Sequence, residues 1–367
     1  MRPALATGLL ALALTIAAAM FDAEPLWVPG IALGALAAGS AGWIALAARG
    51  VTVQRTLGAA RVVEDEPVSV VLEVRAGAWA LPTARLSDAL LTGPATLPSN
   101  RRTGRVRIDV RFARRGRRVL ELPSVLVADP LGLATREVRA RPSAADDEIL
   151  VLPRIEAILV AAGGGDLPQI ANRARQLVGA EVELDGIRPL RDGTPASRIF
   201  WPAVARGADG QERFLRADSD SRPLVVLDPR GAEGEEQLDA AVRAATSVAH
   251  ALARAGGCGV LLPGDRRPHE LGDTLAGWPQ VHARLALVGS SGAPSLASVA
   301  QRRGPVVFVS ARRRARLPQA LANGHGATRV LVVPAAIPER VASFAVAGCN
   351  GYVLDGRRAR AISRGAA

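Results

Sequence analysis

The sequence predicts two N-terminal transmembrane helices, an all-β sandwich-like domain, and then an α/β domain built on a mostly parallel sheet. Three observations carry this prediction. Two apolar stretches without a single charge open the chain, at 4–21 and 26–48. Between 51 and 152, short runs rich in β-branched residues follow one another with no long helical period. Beyond residue 222, apolar runs of strand length alternate with helical patterns.

Residues 1–50 form the predicted anchor. Each apolar stretch is close to the roughly 20 residues that a helix needs to cross the hydrocarbon core. The acidic, turn-forming segment Asp22-Ala23-Glu24-Pro25 joins them into a helical hairpin. Arg2 precedes the first helix, and Arg49, Arg55 and Arg61 follow the second. Positive flanks on one side predict a two-pass protein of the plasma (inner) membrane, with both termini and the soluble domains in the cytoplasm. The lipid bilayer is therefore the first expected partner. A cleaved signal peptide ending near Ala17-Ala18-Ala19 is the competing reading, disfavoured by the second apolar stretch that follows at once. On the second helix Gly30, Gly34, Ala38 and Gly42 recur every four residues, as expected of a surface for close helix packing.

Composition narrows the chemistry. The 367 residues leave room for two soluble domains beside the anchor. Aromatics make up 3%, so the cores are built from Val, Leu, Ile and Ala. The net charge is +12, and every one of the 46 basic residues is Arg. Without Lys there is no P-loop lysine, no Schiff base and no pyridoxal phosphate linkage. Cys258 and Cys349 stand far apart and outside any metal-ligand spacing, so they read as buried free thiols.

The β-rich domain spans 51–152. Val51-Thr52-Val53 opens it, and residues 67–75 form a β-branched run. Residues 105–112 alternate strictly, with Arg105, Arg107, Asp109 and Arg111 on one face and Val106, Ile108, Val110 and Phe112 on the other. That pattern is a half-buried strand with a charged outer face. A turn around Gly116 leads into a further strand at 119–127. The arginines of 101–118 support two readings. One is a solvated strand face. The other is contact with an anionic surface, lipid or nucleic acid, through Arg105, Arg107 and Arg111. No aromatic residue suited to base stacking is interleaved among them, so nucleic acid is not the expected partner.

A Gly-rich, polar connector is expected over 153–181, and the α/β domain over 182–367. Residues 224–228 are an apolar run ending in Asp228. A helix follows at about 235–255, with Leu238, Val242, Ala245, Ala249 and Leu252 on one stripe. Further strands are expected at 258–262, 306–309, 330–333 and 352–354, with helices around 295–303, 313–322 and 338–347. Buried strands alternating with helices imply a parallel sheet covered on both faces, whose ligands sit at the carboxyl ends of the strands. Asp228 stands at such an end.

The search for catalytic residues returns none. His250, His269, His282 and His325 lie in no metal-ligand spacing, and Gly289-Ser290-Ser291-Gly292 is not a nucleophile elbow. Asp146, Asp147 and Glu148 read as a solvated turn. No enzyme activity and no cofactor are expected.

Three stretches together resemble a bacterial membrane-protein family, the domain of unknown function numbered fifty-eight. The first is Asp129-Pro130-Leu131-Gly132-Leu133, and the second is residues 149–154. The third and most specific comprises Arg188, Gly193, Ile199, Trp201, Ala205 and Arg206 at matching spacing before the strand closed by Asp228. The resemblance implies that the C-terminal part is like a von Willebrand factor type A domain. Such domains often hold a divalent cation through Asp-x-Ser-x-Ser. Here the stretch reads Asp228-Pro229-Arg230-Gly231-Ala232, while Thr194 and Ser197 replace the family's usual Asp and Arg, so no metal is expected. The resemblance also implies a protein partner, either a MoxR-type AAA+ ATPase or a transglutaminase-like membrane protein. The signature residues Arg188, Gly193, Ile199, Trp201, Arg206 and Asp228 would then either brace the domain or touch that partner.

Overall fold

A computed structural model describes residues 2–142, 148–160, 170–172, 184–189, 201–206, 211–215, 222–300, 302, 304–322, 328–338 and 340–354. The chain divides into two compact units: Met1–Ala113 with Arg117–Val151, and Arg114–Gly116 with Leu152–Ala367.

The first unit opens with α1 (Arg2–Met20) and α2 (Trp27–Ala47), joined by a turn in which Asp22 takes a positive φ of 49°. Both helices are long and apolar enough to cross a membrane. Leu9, Ile16, Val28 and Ile31 on their outer faces are exposed in the protein alone, where a bilayer would cover them. The buried residues of α2 are Gly30, Ala37, Ile44 and Ala47; at its seam with α1, Gly30 and Gly34 face Thr15 and Ala11, while Ile44 belongs to the core of the strands that follow. A Cβ on Gly30 would lie 2.8 Å from the Thr15 methyl, so only glycine allows this approach. The expected four-residue stripe is corrected here. Gly30 and Gly34 lie on the seam, but Ala38 and Gly42 are exposed. Four residues turn a helix through about 400°, so a four-residue period drifts off a seam that repeats every seven.

The rest of this unit is β1 (Thr52–Leu57), β2 (Arg61–Val63), β3 (Pro67–Arg75), β4 (Thr83–Ser87), β5 (Ala95–Leu97), β6 (Thr103–Arg111), β7 (Gly116–Val119), β8 (Ser124–Ala128), β9 (Thr135–Arg139) and β10 (Glu148–Leu152). They form sheets of order β1-β3-β6, β5-β4-β8-β9 and β2-β10-β7. Val53, Leu72 and Val74 of the first sheet pack against Ala84, Leu86, Val125 and Val127 of the second, as in a sandwich. Val62, Val68, Val70, Ile149 and Val151 form a second apolar cluster. The strand expected at 119–127 is two strands, β7 and β8. Pro123, which has no N–H for a ladder, stands in the interval between them.

The second unit is built on an eight-stranded sheet of order β11-β19-β20-β18-β17-β14-β15-β16. Its strands are β11 (Leu159–Val160), β14 (Leu224–Asp228), β15 (Cys258–Leu261), β16 (His269–Leu271), β17 (Val306–Ser310), β18 (Arg329–Val333), β19 (Phe344–Val346) and β20 (Cys349–Val353). A separate pair, β12 (Leu184–Pro189) and β13 (Gln211–Leu215), is antiparallel. The helices are α3 (Trp201–Val204), α4 (Glu235–Gly256), α5 (Trp278–Ala286), α6 (Ala297–Ala300) and α7 (Gln319–Ala322). Alternate strand residues serve two cores. Val225, Leu227, Val307, Val309, Val330 and Val332 face a cluster that includes α4 and α5, while Leu224, Val226, Phe308, Leu331 and Val333 share a second cluster with Val299, Leu321 and Ile337.

The predicted helix at 235–255 is α4, and all five residues of its stripe are buried. Glu235 and Glu236 in the first turn and Arg254 in the last suit its dipole, and positive-φ Gly256 and Gly257 end it. Arg114 and Arg115 reach Asp239 of α4 at 3.1 and 3.3 Å within this unit.

Three expectations are corrected. The sheet is mixed: β15, β14, β17 and β18 are mutually parallel, while β16, β20, β19 and β11 pair antiparallel at the flanks. The helix expected at 338–347 is absent, because β19 and β20 form a hairpin there. Its two loop residues, Ala347 and Gly348, both take positive φ, as a primed turn requires. The connector expected over 153–181 is not free along its described part. Leu159 and Val160 pair with β19, and Ile170 is buried in the core.

Candidate functional site

The parallel strands select one position. From β14 the chain passes through α4 to β15 on one side, then returns to β17 on the other. The crevice between the carboxyl ends of β14 and β17 is therefore the switch point of the sheet, where open α/β sheets bind ligands. Asp228 and Ser310 close the two strands in register.

Asp228 is buried. Both of its oxygens are taken by Arg230, whose Nε donates at 2.8 Å and Nη2 at 3.0 Å, and the Arg230 backbone N–H adds a bond at 3.3 Å. This bidentate pair raises the Arg230 pKa above its ordinary value. Gly231 turns the chain at φ 72°, and a Cβ there would sit 3.0 Å from Arg312 Cδ. Ser310 turns the other strand end. Its hydroxyl donates to the Arg312 carbonyl at 3.1 Å and accepts from the Arg312 N–H at 3.2 Å. Arg314 follows, half-buried, with its guanidinium 5.6 Å from the centre of the Phe308 ring. Burial lowers its pKa; the charge of Asp228 opposes this, and those of Arg312 and Arg230 add to it. Arg313 pairs at the surface with Glu233 at 3.7 Å.

A divalent cation does not fit this donor set. A hard cation such as Mg²⁺ takes about six oxygens. Asp228 already satisfies Arg230, and the neighbouring positions carry Pro229, Arg230 and further arginines. Among the described residues no group of three or more His, Cys, Asp or Glu could hold a metal.

The remaining sequence-predicted residues are scattered. Arg188 lies in β12, with its backbone opposite Glu212 of β13. Gly193 and Ile199 lie outside the described residues, as do Thr194, Ser197 and His325. Trp201 opens α3 with 58% of its surface exposed, and Arg206 is exposed just beyond. On β6, Arg105, Arg107 and Arg111 lie on the outer face as the alternation predicts. Arg105 pairs with Glu73 at 3.6 Å, and Arg111 donates to the Asp65 carbonyl at 2.9 Å.

Other titratable side chains are tied into structure. Burial pushes the Cys258 and Cys349 thiols up to about 12, far from a reactive thiolate. His282 meets the Pro153 carbonyl at 2.7 Å and stacks near Trp278, and burial lowers its pKa. His269 contacts Asp265 at 3.0 Å, but Arg284 holds the same carboxylate at 2.7 Å. Among the described residues no hydroxyl or thiol is hydrogen-bonded to a histidine.

Sequence reasoning found Asp228 at its strand end and missed Arg312 and Arg314. The available signal was the run Arg312-Arg313-Arg314 directly after the second apolar strand. Comparison of the chain with protein-family models and with curated proteins returned no match.

Proposed function

We propose that the protein is a membrane-anchored, non-catalytic adaptor that binds a protein partner through its α/β unit. On this reading it resembles the family numbered fifty-eight among domains of unknown function, and its C-terminal unit is a degenerate von Willebrand factor type A-like domain. The order of elements supports the family reading: a helical hairpin, a sandwich, then a sheet with Asp228 closing a central strand. A MoxR-type AAA+ ATPase or a transglutaminase-like membrane protein is the partner that the resemblance implies. The soluble units are held at the cytoplasmic face of the plasma membrane.

The observation that carries the adaptor reading is the exposure of Trp201, with Arg206 also exposed five residues further on. Tryptophan and arginine are the residue types that dominate protein interfaces, and both are left to solvent in this segment. It also favours partner contact over internal bracing for the signature Trp201. The alternative, an anionic surface bound by Arg105, Arg107 and Arg111, draws on the same exposed face of β6, but Glu73 already neutralises part of it. Crosslinking followed by affinity purification of the full chain from native membranes tests the adaptor. A specific protein should be enriched, and Trp201→Ala should lower its recovery at least about tenfold, the loss typical of an interface anchor. Recovery unchanged by that substitution, or no specific protein at all, refutes the reading.

A further inference from the structure

We propose that a groove between α1, α2 and β9 holds one anionic phospholipid from the leaflet nearest the strands, with an acyl chain between the helices and the phosphate at Arg136. This rests on reading α1 and α2 as membrane spans and is independent of which protein partner the chain binds.

The first argument is shape. The groove has a volume of about 660 Å³, within the roughly 300–1,000 Å³ usual for small-molecule sites. Leu5 and Gly8 of α1 and Gly34, Ala38 and Ala45 of α2 are in its wall. A Cβ on Gly8 would meet nothing within 4 Å, so the space beside it is open. The Ala4 N–H, one of the unpaired donors of a first helical turn, reaches the Leu133 carbonyl at 2.9 Å and fixes α1 against the turn before β9. From residue 34 to residue 45 α2 rises about 16 Å, close to half of a hydrocarbon core about 30 Å thick. Trp43, two residues from Ala45, is exposed with its ring centre 5.8 Å from that of exposed Trp79, and such rings favour the headgroup level. The groove thus opens at the headgroups and ends near the middle of the membrane, the path of one acyl chain.

The second argument is charge. Thr135 and Arg136 of β9 supply the polar part of the wall, and no carboxylate among the described residues lines it. Arg136 is exposed and has no ion pair among the described residues. Glu137 beside it is held by Arg139 at 3.2 Å. A guanidinium next to a hydroxyl, both at the rim of an apolar slot, is a donor set for a phosphate joined to a hydrocarbon chain. A second copy of the chain docking through the same patch would bring another Arg136 to the rim and be repelled. An anionic lipid brings the opposite charge.

Native mass spectrometry of the full chain in detergent, titrated with phosphatidylglycerol or phosphatidylcholine, counts the lipids retained. One phosphatidylglycerol should be retained at a concentration at least about tenfold below that needed for phosphatidylcholine, the scale of a charge-assisted hydrogen bond. Arg136→Gln should remove this preference, whereas Arg107→Gln, on the outer face of β6, should leave it unchanged. Gly8→Leu should fill the slot and abolish retention of the single lipid. If that variant does not fold, phosphatidylglycerol with a photoreactive group midway along one chain decides on the wild type: label should fall around Gly8 or on residues 34–41. Equal retention of the two lipids, a preference lost as fully in Arg107→Gln, or retention unchanged by Gly8→Leu overturns the proposal. So does label spread over the outer residues Leu9, Ile16 and Val28. Displacement by glycerol phosphate, which carries the head charge without the chain, or a dimer that Gly8→Leu abolishes, overturns it too. Alkaline carbonate extraction of native membranes judges the underlying reading separately. A chain released by it does not span the membrane, whatever the titration shows; a chain that stays leaves the groove to be decided by the titration alone.

Discussion

Arg55 and Asp88 pair at 3.0 Å with side chains 1% and 0% exposed. Arg55 also donates to the Glu121 carbonyl at 2.8 Å, and Asp88 accepts the Leu90 N–H at 2.8 Å. Removing one partner of a buried ion pair strands the other charge, at a cost of about 3–5 kcal/mol. Asp88→Asn keeps an acceptor for Leu90 but removes the carboxylate charge that Arg55 meets at 3.0 Å. It should lower stability by that amount in chemical denaturation of the detergent-solubilised chain. Adding Arg55→Met should restore most of the loss, and a double variant no more stable than Asp88→Asn would show that charge is not the cause. At this scale the sequence was only partly legible. Arg55 reads as one more positive flank of the anchor, because its alternation with buried Val53 is too short to show that it is enclosed. Asp228 was legible because an apolar run ends on it. Arg312 and Arg314 were not, because more than eighty residues separate them from Asp228 and only the return of the chain to β17 brings them to the crevice.

Whole elements were legible where one periodicity dominated. The outer face of β6 and the buried stripe of α4 follow directly from periods of 2 and 3.6. Residues 338–347 misled because alanines at helical spacing mask a hairpin whose turn places Ala347 at positive φ, a position usually held by Asn or Gly. The hairpin has its own signature in Gly351. Opposite Phe344 in the ladder, a Cβ on Gly351 would lie 2.2 Å from the Phe344 ring. Phe344 is buried in the core, so the ring has no free space to retreat into. Gly351→Ala should therefore cost about 1–3 kcal/mol through overpacking. Phe344→Leu, destabilising alone, should be less so in the Gly351→Ala background, because the smaller side chain frees the space that the new methyl takes. Double-mutant denaturation measures this coupling, and strict additivity would mean that the strand shifts instead of the ring.

For the whole molecule, hydropathy alone identified the helix pair, because nothing but a bilayer or a packed core can accept so many consecutive apolar residues. The division of the soluble part was also visible, as the change from uninterrupted strands to alternating strands and helices. The participation of Leu159 and Val160 in the second unit was hidden, since two residues are too few to carry a period. The flanking charges predict an orientation, and the fold changes which of them count. Arg55 spends its charge on Asp88 inside the first unit, leaving Arg2, Arg49 and Arg61 as the flanking cations. Asp22 and Glu24 lie exposed at the opposite, acidic end of the hairpin. Cationic flanks are retained on the cytoplasmic side, whereas acidic residues contribute little, so the bias rests on a few arginines and should be easy to perturb. A reporter fused after Ala367 should therefore be active only in its cytoplasmic form. Moving the charge, with Arg2→Gln and Arg49→Gln combined with Asp22→Arg and Glu24→Arg, should transfer much of the activity to an exterior-only reporter. Arg55→Met alone should transfer none, because that residue is buried and paired. Exterior activity of the unmodified fusion would place both soluble units on the other side of the membrane and remove cytoplasmic ATPases from the set of possible partners.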